Sequence, residues 1–133
     1  MKSNTQAVSI EATASRVFDL VADPENLPRW AVGFARSVRR DGDRWIVITG
    51  SGEVGLEIRG DRATGTVDFH LEPAPGVEAL AASRIIPRGT KSEFVFTQFQ
   101  PPGMPDESFR ASVEALGHEL RVLKALAEVE CPL

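Results

Sequence analysis

Between Pro105 and about Val129, apolar residues recur at Phe109, Val113, Leu116, Leu120, Leu123 and Ala127. The steps alternate between four and three, which places all six on one stripe of an α-helix. Glu107, Arg110, Glu114, Glu119, Arg121 and Lys124 fall mostly elsewhere around that helix, as on a solvated face. Pro105 suits the first helical position, and Asp106 and Glu107 complement the positive end of the helix dipole. At 1.5 Å per residue the helix is roughly 36 Å long, enough to cross a small domain. Such a stripe needs something concave to lie in.

Upstream of it the pattern is mixed. Ala7–Glu11 alternates, with Val8 and Ile10 on one face, and reads as a first strand. Thr13 or Ser15 then caps a helix whose Ala14, Val17, Phe18 and Val21 form an apolar stripe. Asp23-Pro24 stops that helix and starts a second, short one through Leu27 and Trp30, made irregular by Pro28. From about Phe34 the period becomes two. Trp45 and Val47 alternate with Ile46 and Ile48, and Val54, Leu56 and Ile58 alternate with Glu53, Glu57 and Arg59. Val67, Phe69 and Leu71 then alternate with Thr66, Asp68 and His70. Val77–Ile86 and Glu93–Phe99 complete the series. Asp41-Gly42, Gly50-Ser51-Gly52, Gly60-Asp61, Pro73-Ala74-Pro75-Gly76 and Pro87-Arg88-Gly89-Thr90 punctuate it as turns. Strands joined by hairpins form an antiparallel meander. With the helices segregated to one side, the fold class is α+β.

Four stretches carry a family likeness. They are Val8-Ser9-Ile10-Glu11-Ala12 followed by Arg16-Val17-Phe18, then Asp23-Pro24-Glu25-Asn26-Leu27-Pro28-Arg29-Trp30, Gly89-Thr90, and Pro101-Pro102-Gly103 before the last helix. With these, and in its element order, the chain resembles the START-like (SRPBCC) superfamily, in its polyketide cyclase/dehydratase and lipid-transfer branch. The resemblance implies a helix-grip fold. A curved antiparallel sheet of about six or seven strands would wrap the long C-terminal helix, with two short helices after the first strand. It also implies a cavity for a small hydrophobic molecule such as a lipid, a polyketide or another aromatic. Members of the superfamily include carriers, cyclases, hydrolases and chaperone-type adaptors, so the fold leaves function open.

Length and charge narrow the picture. The 133 residues fit one domain, residues 1–133, with 1–5 and 131–133 as frayed tails. A net charge of −4 argues against a nucleic-acid partner. Arg36, Arg39, Arg40 and Arg44 cluster, but acidic residues interrupt them, as on a solvated strand face. No apolar run is long enough for membrane insertion. The single cysteine, Cys131, has no partner in the sequence and reads as a tail thiol, which points to a reducing, cytoplasmic setting.

Chemistry is harder to place. Gly50-Ser51-Gly52-Glu53-Val54-Gly55 matches the G-x-G-x-x-G pattern, but a strand follows it where a dinucleotide site requires a helix. The two histidines lack metal-ligand spacing, so neither metal nor cofactor is expected, and His118 reads as solvated. His70, Asp68 and Arg84 form the one catalytic candidate, a set able to polarise a carbonyl or shuttle a proton in a cyclase or aromatase. That role requires them to point inward; the plainer alternative is the polar outer face of an antiparallel strand. The expected ligand-binding residues are Trp30, Phe34, Phe69, Phe109, Val113, Leu116 and Leu120, lining a pocket near the low end of the usual ~300–1,000 Å³. Phe94 and Phe96 alternate with Val95, Thr97 and Phe99, leaving both faces of their strand apolar. Pointing outward, they would offer a homodimer surface or the docking face of an adaptor or co-chaperone-like module.

Overall fold

The computed structural model describes residues 2–129. Seven strands form one antiparallel sheet: β1 (Ser3–Ile10), β2 (Ser37–Asp41), β3 (Arg44–Thr49), β4 (Gly52–Asp61), β5 (Thr66–Ala74), β6 (Val77–Arg88) and β7 (Lys91–Phe99). Their order across the sheet is β1-β7-β6-β5-β4-β3-β2, so the chain meanders from β2 to β7 and β1 closes on β7. Helices α1 (Ala14–Val21) and α2 (Leu27–Trp30), with a 3-10 turn at Pro24–Asn26 between them, follow β1. The long helix α3 (Asp106–Glu128) ends the described chain. This is the helix-grip architecture.

Local chemistry explains the joints. Thr13 caps α1, its hydroxyl accepting from Arg16 N–H, and the Asp23 carboxylate accepts from Glu25 N–H to open the 3-10 turn. Three of the hairpins turn on two residues that include a glycine at positive φ: Gly42, Gly76 and Gly89. The turn expected at Gly60-Asp61 comes later, because both residues still pair across to Val67 and Thr66. The chain reverses instead through Gly65, whose φ is +76°. A Cβ there would sit 2.2 Å from Ile85 O, so only glycine fits where the turn crosses β6. Residues 3–5, expected in a frayed tail, belong to β1, where Ser3, Asn4 and Thr5 pair with Phe99, Gln98 and Thr97. Cys131, by contrast, lies outside the described residues.

Helix α3 is held across the sheet at both ends. Near its start Asp106 meets Lys2 at 3.0 Å and accepts from Gln100 Nε2. Near its end the Arg16 guanidinium of α1 donates to the carbonyls of Ala127, Leu126 and Val129, satisfying groups that a helix C-terminus leaves open. Glu128 accepts from Glu11 N–H and pairs with Lys124. Phe109, Leu116, Leu120, Leu123 and Ala127 are buried, as the stripe requires. Among the described residues no helix is long and apolar enough to cross a membrane.

Candidate functional site

The sheet's concave face carries Val67, Phe69, Ala81, Ile85, Phe94 and Leu56 into the core. The α2 segment delivers Trp30, which is 2% exposed and meets Phe69 and Phe94 edge-on, with ring centroids 6.4 and 6.3 Å away. Phe96 joins the same cluster, 5.7 Å from Phe69 and 6.2 Å from Phe94. Phe94 and Phe96 therefore point inward. The apolar patch that an outward orientation would have given, and the dimer or adaptor surface built on it, does not form, because Trp30 and Phe69 supply the apolar partners that those rings need.

Between this cluster and α3 lies a cavity of about 280 Å³. Trp30, Phe34, Phe69, Phe109 and Leu116 line it, as expected from the sequence. Val113 and Leu120 do not. Val113 is half-buried where α3 passes β1, its backbone carbonyl accepting from Gln6 Nε2 at 2.9 Å, and Leu120 packs in the core further along the helix. The stripe is longer than the cavity it partly lines. Leu27, Leu56, Leu71 and Phe96 add apolar wall, and the exposed Leu80 and Phe99 stand at its rim.

The wall also holds a residue the sequence pattern misassigned. Glu119, expected on the solvated face of α3, is 6% exposed and lines the cavity. It follows Leu116 by three and precedes Leu123 by four, so its position belongs to the buried stripe although its charge does not. One carboxylate oxygen, Oε2, accepts from Gly33 N–H at 3.0 Å. Gly33 and α3 lie close enough that a Cβ on Gly33 would come 3.2 Å from Ala115 Cβ and 3.3 Å from Oε2. Burial pushes the Glu119 carboxyl up to about 7, and the backbone N–H groups of Gly33 and Phe34 only partly offset that rise. Among the described residues Glu119 is the one ionisable side chain in the lining; Gln98 and Ser112 are its other polar members besides the Trp30 indole.

His70, Asp68 and Arg84 lie on the opposite, outer face. Phe69 and Val67 between them point into the core, and period-two geometry sends their neighbours the other way. His70 stands across from Glu57 and Leu80, Asp68 across from Arg59 and Ala82, and Arg84 across from Thr66. Around them runs a solvated charge ladder in which Arg59 Nε donates to Glu57 at 2.7 Å and Arg44 to Glu72 at 3.4 Å. The Arg59 guanidinium holds the Glu57 carboxyl below its usual range. The inward-pointing cyclase set is therefore overturned by strand parity. His118 is exposed on α3. Among the described residues no three His, Cys, Asp or Glu side chains gather closely enough to hold a metal ion.

Over residues 1–128 the chain matches the family model described as polyketide cyclase / dehydrase and lipid transport. None of the curated proteins matches it. Several solved structures share the fold. The Zhui aromatase/cyclase from Streptomyces sp. R1128 superposes with a TM-score of 0.74 at 19% identity, over 96% of this chain and 93% of that one. A START superfamily protein from Mycobacterium smegmatis gives 0.64 at 15% identity, over 95% and 97%. The Aha1 dimer from Colwellia psychrerythraea gives 0.76 at 12% identity, over 97% and 98%. At these identities the likeness is one of fold alone.

Proposed function

The chain belongs to the polyketide cyclase/dehydrase and lipid transport family, and we propose that it binds a small hydrophobic molecule in the cavity between α3 and the concave sheet. The observation that carries this reading is the cavity itself, about 280 Å³ walled by aromatic and aliphatic side chains. An apolar hollow of that size is uncommon in a core packed like an organic crystal, and a hydrophobic guest gains what water cannot supply there. Its volume admits a two- or three-ring aromatic or a short acyl chain, not a large lipid.

Cyclase-type chemistry has no support from His70, Asp68 and Arg84 on the outer face. If the cavity transforms its guest, Glu119 is the side chain placed to give or take a proton, with an acidity suited to neutral pH. A Glu119→Gln variant would then lose turnover while still binding.

Native mass spectrometry with a panel of naphthalene derivatives, flavonoids and fatty acids tests the binding reading. One-to-one complexes are expected for the smaller aromatics. Ala81→Leu should cut their affinity at least ten-fold, since Ala81 lines the wall and lies beside both Phe69 and Gln98. Absence of any complex, or equal binding by the Ala81→Leu protein, would overturn the assignment.

A further inference from the structure

Among the described residues the cavity wall has a carboxylate and no cation. Glu119 Oε2 is bonded to Gly33 N–H, the Phe34 N–H also faces the carboxylate, and the side chain lines the cavity. Among the described residues two buried side-chain atoms lack partners, Trp30 Nε1 and Gln98 Nε2, but both are fully enclosed by protein and offer no surface to a guest. The Glu119 carboxylate therefore sets the polarity that a guest meets.

Among the described residues no charged group answers it. α2 and the loop after it turn backbone amides toward Glu119, and Arg29 of α2 is exposed and donates to Asn26 Oδ1. On α3, Glu114, His118 and Arg121 are exposed, and Lys124 pairs with Glu128. Arg40 shares the register parity of the concave face, but it lies exposed over the Trp45 ring near the β2 edge. Arg36, in the loop before β2, is exposed as well. The rest of the wall is rich in rings: Trp30, Phe34, Phe69, Phe96, Phe99 and Phe109. Aromatic faces attract cations through their quadrupoles, and a carboxylate in an apolar hollow gains most from a counter-ion that arrives dry.

Building on the cavity reading above, we propose that the preferred guest is a hydrophobic amine, its protonated nitrogen paired with Glu119 and its apolar body against the aromatic wall. A carboxylate guest would meet like charge with no cation to relieve it. A neutral alcohol would bond to Glu119 without satisfying its charge.

The test compares three probes of one skeleton, 1-naphthylmethylamine, 1-naphthalenemethanol and 1-naphthoate, by isothermal titration calorimetry. At pH 8 the amine should bind at least ten-fold more tightly than the alcohol, and the naphthoate most weakly. Burial has already raised the Glu119 carboxyl to about 7, so the amine should bind about ten-fold more tightly at pH 8 than at pH 6. The alcohol should lack that rise. Glu119→Gln keeps an acceptor for Gly33 and should erase the amine's advantage over the alcohol, together with its dependence on pH. If alcohol or acid matches the amine in the wild-type protein, the proposal falls and the cavity reading survives. If none of the three binds, both fall together.

Discussion

Replacing Glu119 with Gln tests the energetic reasoning about the cavity wall without any ligand. The carboxyl ionises near 4.5 in an unfolded chain and at about 7 in the fold, where burial opposes its charge. Between those values the native state keeps a proton that the unfolded chain has released. Stability therefore falls as pH rises through the window, and the loss is complete above it. At about 1.4 kcal/mol per pH unit, the span from 4.5 to about 7 corresponds to roughly 3 kcal/mol. The introduced glutamine cannot ionise, yet its amide oxygen can still accept from Gly33 N–H.

Urea titrations of both proteins at pH 5, 6, 7 and 8, followed by tryptophan fluorescence, measure the difference directly. Other titrating groups, including Glu57, Asp106 and Glu128 with their lowered values, contribute equally to both proteins and cancel. Between pH 5 and pH 8 the Glu119→Gln protein should gain about 2.5 kcal/mol on the wild type. Most of the change should fall below pH 7.5. Parallel stability curves across that range would refute the claim that Glu119 is ionised at a cost in an apolar wall.

Three further outcomes follow from the geometry. Leu123→Ala removes a fully enclosed side chain from the α3 stripe and should cost about 2–5 kcal/mol by chemical denaturation. His70→Ala and Asp68→Ala alter only the outer face; each should change stability by no more than about 0.5 kcal/mol and leave probe affinity untouched in calorimetry. Filling the wall with Ala81→Leu should lower probe affinity, and a stability within about 2 kcal/mol of wild type would show that the loss comes from occupied volume.

Much of the fold was legible because its signals are local. The hairpins carry glycine where two-residue turns need positive φ, and the α3 stripe needed only its spacing of four and three. The site was legible in part. Trp30, Phe34, Phe69, Phe109 and Leu116 announced themselves as large apolar groups on elements that face one another. Phe94 and Phe96 did not reveal their direction, since the other set on β7 is also partly apolar and only the Trp30 rings in space choose between them. Position and residue type disagree at Glu119; its place three after Leu116 is buried, its charge reads as solvated, and a pattern of types follows the charge. His70 and Asp68 obeyed the plainer alternation with Val67, Phe69 and Leu71, which puts polar residues outside. Arg16 gave no signal for its role, because capping the end of α3 depends on a contact across 111 positions of chain.

Methyl NMR of the leucines during titration with 1-naphthalenemethanol tests the central claim most directly. The account predicts that Leu27, Leu56, Leu71 and Leu116, which line the cavity, shift and saturate together at one-to-one stoichiometry. Amides of Glu57, Asp68 and His70 on the outer face should stay in place. Shifts confined to that outer face, or no saturable shift at any cavity leucine, would contradict it.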